Sequence, residues 1–210
     1  MNVVNRMMDR SMRGFIAARM RPHLHYGSAD TAVILVAPQS DLLAGDVSNL
    51  TRLVGVARDA GITVIYAPMA QPEGGRPTLT PSQQAILEAG ILRAGTRGAD
   101  IHPELAATED DIVLEPFAGL SAFTNPELFA ALAASQLGRV IVAGARTDIE
   151  VDSTARDALE AGLHTTVVSD CCTGSNPAAH QATVGTTLPR LVHAVLTLAD
   201  LGDMSTPSRT

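Results

Sequence analysis

The chain has 210 residues, which is long enough for one sizeable hydrophobic core and short for two independent ones. Hydrophobic residues make up 46% of the chain and charged residues 18%, a balance typical of a folded domain rather than a disordered chain. The formal net charge of −7 argues against the positively charged surface that nucleic-acid binding needs, so we expect no nucleic acid among its partners.

The basic and sulfur-containing residues narrow the chemistry further. All 15 basic residues are arginines, so the chain contains no lysine. The only cysteines, Cys171 and Cys172, are adjacent, a spacing that disfavours a structural disulfide and predicts a reducing, cytoplasmic setting. No run approaches the roughly 20 apolar residues of a membrane span, which predicts a protein without a membrane partner.

The two ends of the chain differ from its middle. Residues 1–22 are predicted to form an N-terminal amphipathic helix, because apolar residues recur at helical spacing among arginines until Pro22. This helix either packs on its own domain or a partner subunit, or lies on a membrane surface. With Phe15 as its only aromatic anchor, packing is favoured. Residues 203–210 are polar and predicted to be a flexible tail.

Residues 23–202 alternate between β-type and helical patterns. Apolar runs predict strands at 31–37, 62–66, 111–114, 140–143 and 164–169, and helical patterns cover 49–60, 126–136 and 151–161. We expect 177–198 to be mostly helical. Residues 71–102, rich in Gly and Pro with a helix predicted near 81–89, form a long excursion that would cover a site. Such alternation predicts a parallel sheet with helices on both faces and ligands at the carboxyl ends of its strands.

Several segments, in order, carry a recognisable pattern. The most specific is GARTDIEVDSTARDA at 144–158, followed by Gly162 and VVSD at 167–170. GTRGADIHPEL at 95–105 and SAF at 121–123 precede it. Together they resemble the isochorismatase-like (cysteine hydrolase) family over most of the chain after the N-terminal helix. The resemblance implies a three-layer α/β/α Rossmann-like fold with a mostly parallel sheet of about six strands, a small-molecule substrate, and a homodimer or larger homo-oligomer.

The catalytic triad of that family, Asp-Lys-Cys, is replaced at every position. Ala37 stands where the Asp ends the first strand, and Glu150 stands in the cysteine's place. The lysine position falls on Glu115, Pro116 or Phe117, none of which is basic. The family's amidohydrolase route needs a thiolate, a proton acceptor and an ammonium group, so thiol-dependent hydrolysis is excluded. Cys171 and Cys172 follow a later strand, where a packing role is favoured.

Glu150 and Arg146 are the candidate catalytic residues. Some relatives without the cysteine hydrolyse a vinyl ether by protonation, but they keep the Asp that is missing here. In one interpretation Glu150 is a general acid or base and Arg146 clamps an anionic substrate. In the other, Glu150 caps its helix and pairs with Arg146. The resemblance also implies a non-proline cis peptide between Ala145 and Arg146.

Further residues are candidates for lining the substrate pocket, with no cofactor and no metal expected. Asp41 could instead cap the next helix, and Glu115 could be solvated. Metal-binding relatives use an Asp and two His residues in the excursion, whereas His102 is the only histidine there, and no glycine-rich phosphate loop follows a strand. The substrate-binding candidates are Ala37, Gln39, Asp41, Tyr66, Glu115, Phe117, Phe123 and Ala145.

Two functional hypotheses follow. The first is a divergent enzyme that uses non-covalent acid/base chemistry (ether hydrolysis, elimination or isomerisation) on a small anionic metabolite. The second is a catalytically inactive binding or scaffold subunit, with the N-terminal helix as a docking element. An open, polar pocket bounded by Ala37, Phe117, Arg146 and Glu150 would favour the enzyme, and a pocket filled by side chains would favour the inactive subunit.

Overall fold

The computed structural model describes residues 26–43, 45–71 and 79–201. The predicted N-terminal helix (1–22) and the predicted tail (203–210) lie outside these described residues. Within them, no helix combines the length and the apolar composition that crossing a membrane requires.

Six parallel strands form one sheet in the order β3-β2-β1-β4-β5-β6. All six residues of β1 are buried, as expected for a central strand of a parallel sheet covered on both faces. The predicted α/β class with a mostly parallel sheet of about six strands is confirmed. The strands are β1 (Thr31–Val36), β2 (Thr63–Ala67), β3 (Ile112–Val113), β4 (Arg139–Ala145), β5 (His164–Thr173) and β6 (Ala194–Leu196).

Helices connect the strands and complete the three-layer α/β/α architecture. Short 3-10 turns at Pro103–Leu105, Ala122–Thr124 and Leu188–Arg190, and π turns at Thr147–Val151 and Thr183–Thr187, join them. The helices are α1 (Ser48–Asp59), α2 (Pro81–Ala89), α3 (Pro126–Ala134), α4 (Asp152–Glu160), α5 (Pro177–Ala182) and α6 (Leu198–Leu201).

Local sequence signals explain where these helices begin and end. Thr80 and Gln83 form a reciprocal capping box at the start of α2, and Gly90 ends that helix in the left-handed conformation. Asn125 caps α3, with Pro126 at its first position. The excursion therefore carries the helix predicted at 81–89.

The prediction of a mostly helical segment at 177–198 is wrong in its last third. Helical turns continue to Arg190, but Ala194–Leu196 forms the edge strand β6. Three residues are too few for an alternating pattern to show in the sequence. The strand exists because it pairs with β5, with Thr166 opposite Ala194 and Val168 opposite Leu196.

The direction of the strand order reverses where β1 lies beside β4. Ligands in open α/β sheets bind at such a reversal, outside the carboxyl ends of the strands. Val36 pairs with Gly144 there, and Gly144 has a φ of +123°. A Cβ atom at this position would collide with the carbonyl oxygen of Val36, so only glycine lets the two strand ends approach. The residues that follow, Ala37 and Ala145, begin the candidate site.

Candidate functional site

Ala37, predicted at the family's Asp position, carries no group that can exchange a proton. It follows β1 with a φ of 46°, and its side chain is fully buried. Its amide N–H donates to the carbonyl oxygen of Ala67 at 2.9 Å, which continues the pairing with β2. The site therefore has a methyl group where a triad carboxylate would stand.

Glu150 lies in the π turn Thr147–Val151, between β4 and α4. The peptide between Ala145 and Arg146 is cis, as the resemblance implied. The carboxylate of Glu150 is fully buried and accepts three hydrogen bonds from Arg146: from the amide N–H at 3.1 Å, from Nε at 2.9 Å and from one Nη at 2.5 Å. The predicted pairing is confirmed. The bond from the Arg146 amide also satisfies a free donor at the start of the π turn, since Arg146 is the residue that precedes this turn.

Arg146 also joins the site to the excursion. The same Nη donates to the hydroxyl of Ser82 at 2.7 Å, in the first turn of α2, and 15% of the arginine side chain remains exposed. The excursion thus covers the pair, as its length suggested. Ser82 was not among the predicted site residues, since its only signal in the sequence is its position at the start of a predicted helix.

The three residues predicted for the family's lysine position follow β3. Beyond β3, Leu114 donates its amide to the carbonyl of Tyr66 and Phe117 donates to that of Pro68, so the chain keeps running beside β2. Of the three candidate residues, Phe117 is buried while Glu115 and Pro116 are exposed. The one buried residue among the three candidates is thus apolar.

Gln39 and Asp41 hold loops in place. The side-chain amide of Gln39 donates to the carbonyl of Met69 at 2.6 Å and accepts from the amide of the same residue at 2.9 Å. The carboxylate of Asp41 accepts from the amide of Leu92 at 2.7 Å, in the excursion. The alternative that Asp41 caps the next helix is wrong, because Val47 precedes α1 without a side-chain cap.

Tyr66 and Phe123 complete the set of predicted pocket residues. The hydroxyl of Tyr66 accepts a hydrogen bond from Arg58 at 3.0 Å, beside Asp111. Arg58 ends α1 and Asp111 precedes β3, so this hydroxyl points to the amino ends of the strands, away from Glu150. Burial raises the pKa of Tyr66 to about 12. Phe123 is half-buried in a 3-10 turn beside the core.

A model of the isochorismatase domain matches residues 31–200. The chain belongs to the isochorismatase family. A probable inactive nicotinamidase of Arabidopsis thaliana is 25% identical over 169 residues, which cover 74% of this chain and 86% of that protein. This relative is itself named as inactive.

Solved structures of the family share the fold. An isochorismatase family protein from Desulfovibrio vulgaris has a TM-score of 0.70 at 23% identity, covering 82% of this chain and 96% of that chain. A cysteine hydrolase from Pseudomonas syringae pv. phaseolicola has a TM-score of 0.71 at 21% identity, covering 83% and 92%. At these identities the likeness extends to the architecture alone.

The two cysteines do not replace the family's nucleophile. Both lie at the end of β5, where Sγ of Cys171 donates to the carbonyl of Asn49 and Sγ of Cys172 donates to that of Val168. Burial raises the pKa of both thiols, that of Cys172 to about 12. Because the thiolate is the nucleophilic form, neither residue is activated for attack at neutral pH.

The described part of the chain has a cavity of about 360 Å³, but it lies elsewhere. It follows the edge strand β6 and none of Ala37, Phe117, Arg146 or Glu150 lines it. Among residues 26–43, 45–71 and 79–201, no cluster of three or more His, Cys, Asp or Glu side chains could hold a metal ion. Of the four residues predicted to bound the pocket, Arg146 and Glu150 form an ion pair, Ala37 contributes a methyl group and Phe117 a buried aromatic ring.

Proposed function

We propose that this chain is a catalytically inactive member of the isochorismatase family that serves as a binding or scaffold subunit. One observation carries the proposal: the Glu150 carboxylate is completely buried, and both of its oxygens are held by Arg146. The residue in the nucleophile's place is thus part of a closed ion pair.

A general acid or base has to exchange a proton with the substrate, which requires contact with it. Both oxygens of the Glu150 carboxylate already accept charge-assisted hydrogen bonds from the Arg146 side chain, so a substrate would have to compete with Arg146 for them. For a substrate to reach the carboxylate, the α2 helix and the Arg146 side chain would both have to move. The relative in Arabidopsis thaliana adds support, because it is named a probable inactive nicotinamidase and matches over 86% of its length.

A second candidate is the acid/base enzyme acting on a small anionic metabolite. It is favoured by the 15% of the Arg146 side chain that stays exposed, where a carboxylate or phosphate could meet the guanidinium. In that case the anion would draw Arg146 away from Glu150 and release the carboxylate for proton transfer. Binding of the ligand would then itself open the Arg146–Glu150 ion pair.

The test is an assay of the full chain with nicotinamide, followed by ammonia release, and with isochorismate, followed by loss of substrate. An active cysteine hydrolase serves as the positive control. We expect no turnover above the buffer rate for either compound. Turnover that disappears in Glu150→Gln under conditions where circular dichroism shows this variant to be folded, and that persists in Asp152→Asn, a carboxylate in a more exposed pair of the same spacing, would overturn the proposal in favour of the acid/base enzyme.

Binding is tested separately by thermal shift with a panel of small carboxylates and phosphates. A ligand that raises the Tm without being converted fits a binding subunit, and the Tm shift is compared with that of Arg146→Met, each measured from its own ligand-free baseline. The homodimer or larger oligomer implied by the family is part of the same proposal. Light scattering of the full chain measures it directly.

A further inference from the structure

Helix α3 presents an apolar surface to solvent. It buries Leu128 and Leu132 against the core, yet beyond its first turn every fully exposed position is also apolar. Phe129 is 56% exposed, the highest value among the large hydrophobic side chains that the structure describes. The other exposed residues of this face are Ala130, Ala133 and Ala134.

A helix that is apolar all round is normally covered on both sides, because surface helices carry polar residues on the face turned to water. Exposed apolar patches of this kind mark interaction sites. The alanines leave room for close approach of another helix, and Phe129 offers a large side chain to a complementary surface. The α3 face therefore lacks its covering element among the described residues.

We propose that residues 3–20 of the same chain, which lie outside the described residues, dock on the α3 face. This segment has the matching surface: Val4, Met7, Met8, Met12, Phe15 and Ile16 recur at helical spacing. If helical, the stripe from Val4 to Ile16 measures about 18 Å, and α3 with its nine residues about 14 Å. The two apolar surfaces are thus of similar length.

The path of the chain allows this contact. The described residues begin at Tyr26, whose hydroxyl bonds that of Thr166 at 2.8 Å. Four residues later, the carbonyl of Asp30 accepts the amides of Gly138 and Arg139, just after the end of α3. The five residues between position 20 and Tyr26 can bridge about 20 Å. The segment thus joins the domain beside the helix that it is proposed to cover.

The charges of the two parts are complementary. Residues 1–25 contain five arginines and one aspartate, a net charge of +4. Residues 26–210 contain ten arginines and 21 acidic residues, a net charge of −11. With its apolar side on α3, the segment would turn its arginines toward the acidic domain and solvent. Glu127 at the start of α3 is a nearby exposed carboxylate.

The absence of tryptophan makes a direct test possible. Phe15→Trp places a single fluorophore on the apolar stripe of the full chain, and Arg10→Trp places one on the opposite, polar side. We expect blue-shifted emission and weak acrylamide quenching for Phe15→Trp, and solvent-exposed emission for Arg10→Trp. Adding Ala133→Asp to Phe15→Trp should shift its emission to the red and raise the quenching constant several-fold.

Ala85→Asp is the matched control, because Ala85 is an exposed alanine within α2. It should leave the emission of Phe15→Trp unchanged. A circular-dichroism melt checks that Ala133→Asp has not unfolded the domain; if it has, Phe129→Ser replaces it as the disrupting variant. The proposal is overturned if the fluorophore of Phe15→Trp is exposed in the otherwise wild-type chain, or buried but insensitive to both α3 variants.

Two further outcomes identify other occupants of the α3 face. Burial of the fluorophore that is lost on dilution, together with a fall in mass by light scattering, would assign the contact to a second copy of the chain. A blue shift that appears only with vesicles of anionic lipid would assign the segment to a membrane surface. Either result overturns docking within one chain.

Discussion

Two buried arginine–carboxylate pairs lie at opposite ends of the sheet and are built alike. Arg146 and Glu150 meet beyond the carboxyl ends of β1 and β4, and Arg58 and Asp111 meet at the amino ends of β2 and β3. In both pairs Nε and one Nη donate to the two carboxylate oxygens, at 2.9 and 2.5 Å in the first pair and 3.3 and 2.5 Å in the second. Each arginine thus binds its partner in a bidentate manner.

The two arginines also have similar additional hydrogen-bond partners. The Nη of Arg146 also reaches the hydroxyl of Ser82, and that of Arg58 reaches the hydroxyl of Tyr66. Nothing places Arg58 in a site, so its pattern is that of a structural pair that ties helix, strand and loop together. The pair in the family's catalytic position repeats this pattern, which favours a structural role for it as well.

The two pairs differ in how far their arginine side chains are exposed to solvent. The side chain of Arg146 is 15% exposed and that of Arg58 is 31% exposed, while both carboxylates are essentially buried. Water can therefore replace a lost partner more easily at Arg58 than at Arg146. Breaking the Arg146–Glu150 pair should therefore lower the free energy of unfolding more than breaking the Arg58–Asp111 pair.

Removal of the Glu150 charge is expected to have the largest effect on stability. Glu150→Gln leaves the buried guanidinium of Arg146 without a counterion, and breaking a buried pair on one side costs about 3–5 kcal/mol. The measurement is the free energy of unfolding from urea denaturation, with the m-value checked for constancy.

Asp152→Asn is the control for Glu150→Gln. Asp152 pairs with Arg156 at the same four-residue spacing, but the arginine side chain is 45% exposed. We expect a loss below about 1 kcal/mol, as for exposed pairs in general. Equal losses in the two variants would show that burial of the Glu150 pair has no energetic consequence.

The second largest effect is expected at the other pair. Asp111→Asn keeps the shape of the side chain and removes its charge, and we expect a loss of about 1–3 kcal/mol because Arg58 can be partly hydrated. Burial raises the pKa of Asp111, but the hydrogen bonds from Arg58 and Thr108 outweigh it and leave the pKa below the ordinary 3.8.

The sign of the pH dependence follows from that shift. A carboxyl whose pKa is lowered by folding stabilises the protein above its ordinary pKa and loses this contribution as the pH falls through the folded value. The difference in unfolding free energy between wild type and Asp111→Asn should therefore be constant near neutrality and shrink below about pH 4. A difference that grows on acidification would contradict the assignment.

The sequence predicts the local pair and is silent on the distant one. Arg146 and Glu150 are four residues apart on a turn, so their pairing could be anticipated from spacing. Arg58 and Asp111 are 53 residues apart, and only the crossover from α1 through β2 to β3 brings them together. The prediction that Tyr66 lines the pocket has a similar limit. The position of Tyr66 near a strand end is visible in the sequence, whereas the direction of its side chain is not.

The vacated positions themselves could be found from motif spacing. Ala37 and Glu150 were identified because the segments around them keep the family pattern while the catalytic residues are gone. The hydrogen-bond partners of Gln39 and Asp41 could not be predicted from the sequence. These partners are backbone groups of Met69 and Leu92, in loops whose paths depend on the folded chain. Loop geometry carries no periodic signal.

A smaller effect is expected from a stacked histidine pair at the start of β5. The rings of His164 and His193 stack with centroids 4.2 Å apart. Burial, and then the charges of His193 and Arg139, lower the pKa of His164 below its ordinary 6.5. The unfolded chain thus takes up a proton that the folded chain refuses, so stability should fall as the pH drops below 6.5, by at most about 1.4 kcal/mol per pH unit.

His164→Gln should remove this part of the slope between about pH 7.5 and pH 5, as measured from urea midpoints at constant ionic strength. An identical slope in wild type and His164→Gln would show that the stacked pair is not responsible for it.

The smallest net effect on stability is expected when Arg146 and Glu150 are replaced together. Arg146→Met/Glu150→Leu removes both charges together, and exchange of a buried ion pair for apolar side chains of similar volume is often neutral or stabilising. We expect an unfolding free energy within about 1 kcal/mol of wild type, although each single substitution costs several times as much. Such strong coupling would mark Arg146 and Glu150 as one interchangeable packing unit. A double variant as unstable as the sum of the two single variants would instead mean that the two side chains contribute independently to stability, which would contradict the paired structural role.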